Sequence, residues 1–509
     1  METSPSFSDE FKSAYAQGHA QLVWTRLIAD LETPVSAMLK LGVGEPNSFL
    51  FESVEGGETR GRYSIIGLKP DLIFHVENGK AELNRNAAHK PLDFVPCPEP
   101  PLEALRALIA ECRLTVPHEL PPMSSGLFGY MGYDMVREME HLPNINPDPI
   151  GIEDSIFLRP TIVSIFDGVT GELIVVTPVW PDGDVAPEAA YARAQERIAE
   201  VVANLDRALP HQSVPEGHLP TPVATSNTTH AEYLKIIDKA KNYIKAGDIF
   251  QVVPSQRFSA PFSLPPFALY RSLRRLNPSP YLFFLNFGSH AIVGSSPEIL
   301  VKLSDGKVTI RPIAGTRPRG ATPEEDKALA ADLLGDPKER AEHLMLLDLG
   351  RNDVGRVVKT GTVDVTESFT IENYSHVMHI VSNVEGDIAE GQDGLSALIG
   401  GFPAGTVSGA PKVRAMEIID ELEKEKRGIY AGGVGYFAAD GSMDTCIALR
   451  TALVKNGTMY VQAGGGVVYD SDPEAEFQET VNKSRALIRA AEEAVRFANE
   501  KPGNLTRKC

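Results

Sequence analysis

The sequence predicts an α+β protein in two lobes, with large antiparallel β-sheets flanked by helices. Three observations point there. The chain has 509 residues, well beyond one minimal core. Its strand-like and helix-like segments lack the regular alternation of a doubly wound fold. A proline-punctuated stretch, residues 209–228, divides it near the middle, with Pro210, Pro215, Pro220 and Pro222 in a polar run. Each proline fixes φ and removes an amide donor, so extended backbone is favoured there and no helix runs through. The expected organisation is an N-terminal lobe over 1–208, this linker, a second domain over 229–495 and a tail over 496–509.

The N-terminal lobe reads mainly as strands, at Ser64–Gly67, Leu72–Val76, Thr161–Phe166 and Leu173–Val179. Asp167-Gly168 and Thr170-Gly171 supply turns between the last two. Helices are expected near Leu102–Ala110 and Pro187–Asp206. Beyond the linker, Thr229 and Glu232 form a T-x-x-E capping box. Behind it Tyr233, Ile236, Ile237, Ala240, Tyr243 and Ile244 recur at helical spacing, and Gly247 ends the run. Strands follow at Ile249–Val253, Tyr281–Phe287, Ala291–Val293, Lys307–Arg311, Gly432–Phe437, Ile447–Val454 and Met459–Ala463.

Charge and cysteine usage exclude several classes. Asp plus Glu number 68 against 49 Lys plus Arg, a net charge of −19. Such a surface repels nucleic acid and anionic membranes, because both recognise basic patches. No basic start followed by an apolar stretch marks a signal peptide, and no apolar run approaches a membrane span. Cys97, Cys112, Cys446 and Cys509 are scattered without a C-x-x-C pair, as reduced thiols in a cytoplasmic protein would be.

The chemistry-bearing residues fall into a few constellations. Glu339 and Glu342, and far downstream Glu476 and Glu479, lie three apart and share a helix face in each case, with Lys483 one turn past Glu479. Four converging carboxylates would make a hard-oxygen site suited to Mg²⁺. Taken alone, each spacing also fits a solvated helix face. The run Ala463-Gly464-Gly465-Gly466 follows a strand and offers an amide nest for a carboxylate, or a plain turn. The loop Phe402 to Lys412, holding Thr406, lacks the Walker spacing. Pro312 to Arg317 offers Gly315 as a point of close approach, with the Thr316 hydroxyl and a cation. Arg450 would present a fork to a carboxylate, or form a structural ion pair. His376 and His379 have no further ligands at metal spacing, so a hydrogen-bonded structural role is the better reading on spacing alone. Neither a G-x-S-x-G elbow nor a dinucleotide-binding glycine fingerprint is present.

Taken together these motifs resemble the chorismate-utilising enzymes, above all the large subunits of anthranilate synthases, from about Ser48 to Ala491. The similar stretches are Gly247 to Val253, Gly294 to Glu298, Pro312 to Thr316, Glu342 to Met345, Asp348 to Asp353, Pro403 to Lys412 and Gln462 to Gly466. The resemblance implies amination of chorismate at C2 and elimination of pyruvate to give anthranilate, toward tryptophan. Glu342 and Glu479 would ligate Mg²⁺, with Glu339 and Glu476 assisting through water. Gly315, Thr316, Thr406, Tyr430, Arg450 and Gly464 to Gly466 would bind substrate. Glu298 would be the general acid, and His379 would assist the later proton removal. Lys483 matches a family position beside the substrate whose role stays open.

Two positions discriminate within the family. Its water-using members, the isochorismate and salicylate synthases, carry Lys where Gln251 stands. Aminodeoxychorismate synthases, the nearest alternative, carry a potentially nucleophilic Lys where Ala314 stands. A non-catalytic binding homologue is the other alternative, and it has no need of the full residue set. No glutaminase nucleophile is evident, so the resemblance implies a separate glutamine amidotransferase subunit, in a heterotetramer of two large and two small chains. Leu50-Phe51-Glu52-Ser53 and Asn277-Pro278-Ser279-Pro280-Tyr281 resemble the two halves of the family's tryptophan site. That implies feedback inhibition through Glu52, Ser53, Asn277, Pro280, Tyr281 and Leu282. Phe51 and Leu282 replace the Leu and Met often found there.

Overall fold

The computed structural model describes residues 9–55, 59–210, 218–374 and 377–500. His376, Cys509, Pro215 and most of the expected tail lie outside them.

Local sequence rules set the helix bounds. Thr229 caps the helix His230–Ala246: its hydroxyl accepts from the Glu232 amide at 3.3 Å, and Glu232 Oε2 accepts from the Thr229 amide at 2.8 Å. Gly247 ends that helix at φ +85, where a side chain would be strained. The helices Pro101–Glu111 and Pro187–Leu205 start at prolines, whose missing amide is harmless in a first turn. The two acidic helices are Pro337–Gly355 and Pro473–Asn499, capped by Asp336 and Asp472. The second runs past the position where the tail was expected, because Ala490, Ala491, Ala494 and Val495 keep a buried face to its end.

Among the described residues, 21 strands join one sheet, and every pairing in it is antiparallel. The two halves of the chain are joined within it. Ser48–Glu55 pairs with Tyr281–Asn286, and Gly126–Met131 pairs with Gly433–Ala438. A single buried cluster takes Phe11, Val23 and Leu50 from the first half with Tyr270, Leu282 and Leu487 from the second. The proline-rich stretch is pinned where described: Leu219 is buried and exchanges two hydrogen bonds with the Asn499 side chain, at 2.9 and 3.0 Å. Thr225–Ser226 adds to the edge of strand Ser255–Pro261.

Two expected strands come out differently. Ile447–Val454 is broken into Met443–Ile447 and Thr451–Lys455, because Arg450 stands at φ +45, outside the extended region. Ile249–Val253 contracts to Gln251–Val252, which pairs with Gly409–Ala410 in a small sheet of its own. Both irregularities aim a candidate site residue.

Candidate active site

Glu298 sits between the strands His290–Ser296 and Ile299–Ser304, only 5% exposed. Burial pushes its carboxyl up to about 8. Hydrogen bonds from the Thr406 hydroxyl (2.8 Å) and the Ile313 amide offset part of this, as do the charges of Lys483 and Arg450. At neutral pH the group is a protonated acid, the form a proton donor needs. Thr406, expected to bind substrate, donates its hydroxyl to the acid.

His379 pairs across the sheet with Thr316, whose strand carries Gly315. Its Nδ1 lies 2.9 Å from the Gly315 carbonyl and 3.1 Å from Thr316 Oγ1. Burial keeps the ring below its ordinary value; the Gly315 bond opposes this and Arg450 adds to it. A neutral imidazole that donates Nδ1–H to a carbonyl carries its lone pair on Nε2. The alternative of a purely structural histidine therefore accounts for only one of the two nitrogens.

Arg450 makes no ion pair or hydrogen bond from its guanidinium among the described residues, so the structural ion pair expected as one reading does not form. Burial lowers its pKa, partly offset by Tyr374 and Glu298. A half-buried guanidinium without a carboxylate, on strained backbone, is a vacant fork for an anion.

The glycine run brings the acidic helices together. An ideal Cβ on Gly464 would lie 2.8 Å from the Tyr430 hydroxyl. On Gly465 it would lie 3.0 Å from Glu476 Oε2 and 3.9 Å from Glu479. On Gly466 it would lie 2.5 Å from Gln251 Nε2 and 4.0 Å from Glu342 Oε1. The missing side chains thus serve close approach. The nest reading fits less well, because the Gly464 amide serves Tyr430 and the Gly465 amide bonds the Pro254 carbonyl at 3.3 Å. Tyr430 is buried, which raises its hydroxyl to about 12. Gln251 is 2% exposed, and its Oε1 is buried without a partner.

Glu342 is pushed up to about 7 by burial, then by the nearby Glu339 and Glu479. Glu476 is raised as well, chiefly by burial, and its Oε2 is buried without a hydrogen-bond partner. All-oxygen donors, mutual repulsion and an orphaned carboxylate oxygen fit a hard divalent cation. Among the described residues, however, no three acidic, His or Cys side chains are gathered closely enough to define a metal centre. Lys483 occupies part of the space, 2.7 Å from Glu479 Oε1 and 3.0 Å from the Gly464 carbonyl. Glu339 faces Gly315, its Oε2 3.1 Å from a Cβ built there, and accepts from Arg317 at 3.3 Å.

The candidate effector residues line a separate cavity of about 1010 Å³. Phe51, Glu52, Ser53, Pro280, Tyr281 and Leu282 face it from the seam between the halves, joined by Tyr436, Asp444 and Cys446. Glu52 is held by Arg274 at 2.6 and 2.8 Å and by the Tyr270 hydroxyl. Tyr281 donates to Asp444 at 2.9 Å. Asn277 does not line the cavity. It ends the helix Pro266–Leu276 and is tied to Ser295, in the turn that leads to Pro280.

Residues 47–489 match the model of the chorismate binding enzymes. The chain belongs to that family. It is 62% identical to anthranilate synthase component 1 of Cereibacter sphaeroides over 96% of this chain and 98% of that one. Identity to anthranilate synthase component 1 of Pseudomonas putida is 47%, over 95% and 97%. The solved anthranilate synthase component I of Streptococcus pneumoniae TIGR4 superposes with a TM-score of 0.73 at 39% identity, covering 84% of this chain and 92% of that one. MenF, the menaquinone-specific isochorismate synthase of Escherichia coli, shares the fold with a TM-score of 0.70 at 19% identity, over 93% and 95%. Within this chorismate-binding chain, sequence reasoning missed the Ile313 amide on Glu298 and the Tyr374 ring, 5.4 Å from His379. A backbone donor leaves no residue-type signal. Tyr374 lies two residues before His376 in the sequence, and that spacing gave it no role.

Proposed function

We infer that the chain is a chorismate-utilising lyase of the anthranilate synthase type, aminating chorismate at C2 and releasing pyruvate. The observation that carries this is the grouping of the buried Glu298 and His379 around the unpaired Arg450, whose charge acts on both. Arg450 forks a substrate carboxylate and Tyr430 packs beside it. Glu298 gives its proton to the departing 4-hydroxyl as ammonia forms the bond to C2 and water leaves. His379 Nε2 then takes the C2 proton as the C3–O bond breaks, and the released enolpyruvate gains a proton at its methylene carbon to become pyruvate. Glu342 and Glu479, supported by Glu339 and Glu476, would hold Mg²⁺, which would neutralise and orient the ring carboxylate. Gln251 faces the glycine run as an amide with no basic amine, which favours ammonia over activated water. Ala314 offers no amine nucleophile.

Ammonia is proposed to come from a glutamine amidotransferase subunit, in a complex with two copies of each chain. The described cysteines support this. Burial raises the thiols of Cys97, Cys112 and Cys446, Cys112 to about 11, so none is a ready thiolate. The isolated chain with chorismate, Mg²⁺ and ammonium is expected to yield anthranilate, identified by mass and fluorescence. Chelator should abolish the product, and glutamine should not replace ammonium until the partner is added. Glutamine use by the chain alone, or a product amino group at C4, would overturn the reading.

The cavity at the seam suits tryptophan as an inhibitor: the Asp444 carboxylate suits a ligand ammonium, and Phe51, Tyr281 and Tyr436 suit an aromatic ring. Saturating tryptophan should depress the initial rate. Ser53→Arg should remove that response with little change in uninhibited turnover, since Ser53 touches none of the catalytic side chains. An inhibition curve identical to wild type would sink the assignment.

A further inference from the structure

Residues that line the seam cavity also touch the candidate catalytic side chains. Pro297 and Ile299 line the cavity, while Glu298 between them carries the acid, the alternation expected of extended backbone. Ile313 also lines it, and its amide donates to Glu298. Tyr374 belongs to the same wall, and its ring meets His379 edge-on, centroids 5.4 Å apart and planes at 64°. The tyrosine is anchored at both ends. Its hydroxyl donates to Glu372 Oε2 at 2.9 Å, Glu372 is gripped by Arg311, and the Tyr374 carbonyl accepts from Arg319 at 2.8 Å.

We propose that Tyr374 is a positioning residue for His379, and that an occupant of the seam cavity acts on catalysis by displacing its ring. The second half rests on tryptophan being that occupant. The ring is one element with two neighbours: it lines the cavity and it meets His379. A ligand shifts such an element only if it binds one of its placements better than the other. The coupling is then reciprocal, so substrate must weaken tryptophan binding by the factor by which tryptophan weakens substrate binding.

The experiment uses the full chain with Mg²⁺ and saturating chorismate, nitrogen source withheld so that nothing turns over. Tryptophan is titrated calorimetrically with and without chorismate, and turnover is measured separately with ammonium. In the wild type the two tryptophan affinities should differ by about tenfold, within the usual range of allosteric coupling. Tyr374→Phe keeps the ring and should match the wild type in that ratio and within about threefold in kcat. Tyr374→Leu should bind tryptophan alone normally, bring the ratio to near unity, lower kcat at least about tenfold and raise KM, since losing the ring mimics the displaced placement that binds substrate less well. If that variant fails to fold, Tyr374→Met, of similar volume without a ring, decides. A ringless variant that binds tryptophan and keeps the wild-type ratio, or a Phe variant as impaired as Leu, overturns the proposal. Absence of tryptophan binding to the wild type would instead refute the occupant, and the comparison of kcat between Phe and Leu would still test the positioning of His379.

Discussion

Glu298→Gln should lower kcat by about 10²–10⁴-fold with KM changed only a few-fold, the loss expected when a proton donor is removed from a transition state. Glutamine preserves size and one acceptor for Thr406 and Ile313, so the fold should persist. Wild-type turnover should decline as pH rises through about 8, where burial has placed this carboxyl. Stability carries a matching signature. The native state holds its Glu298 proton up to about 8, whereas an unfolded chain releases it near 4.5. Between those values the native state binds more protons, so this residue makes stability fall as pH rises. Its burial penalty is absent below the unfolded value and fully present above about 8. The Gln variant lacks that slope, and chemical denaturation at pH 5 and pH 8.5 should show a smaller difference than in the wild type. A kcat within threefold of wild type, or an unchanged pH slope, would remove Glu298 from the acid role.

Much of the fold was legible wherever one local rule decides. The capping box at Thr229, the αL stop at Gly247 and the antiparallel class all follow from residue types at short range. What was not legible depends on partners distant in sequence. The pairing of Phe51 with Phe283 merges the two halves within one sheet, and no local pattern announces it. Pairing likewise makes Gln251–Val252 a two-residue strand, since its partner strand is only Gly409–Ala410. The site residues were named from family resemblance, and the structure adds contacts that their spacing does not show. Thr406 donates to the acid, Asn277 is tied to Ser295, and the glycine run clears space for Glu476, Glu479 and Gln251. Burial, which converts Glu298 from an ordinary carboxylate to a neutral acid, is a property of the assembled sheet that no residue spacing encodes.

Arg450→Gln should move activity and stability in opposite directions. A guanidinium removed from water without a carboxylate destabilises the folded state, and effective penalties for an unpaired buried ion reach several kcal/mol. Because the Arg450 residue is only partly buried, the gain on neutralising it should be smaller, about 1 kcal/mol, read as a higher melting temperature. The backbone adds to the cost: φ +45 is sparsely populated for a side-chain-bearing residue. That irregularity ends the strand at Ile447 and turns the next side chains out of the ladder, which a continuous strand would not do. A protein tolerates both penalties where the charge meets an anion that the free structure lacks. Truncating one member of a desolvated charge pair typically loses about 2–5 kcal/mol, so kcat/KM should fall by roughly 30- to 4,000-fold. Arg450→Lys retains the charge without the planar fork and should recover only part of the loss. Were Arg450 a structural cation, Gln would lower the melting temperature and leave kcat/KM nearly intact. The sign of the stability change therefore separates a vacant anion fork from an ordinary ion pair, independently of any assay of the reaction.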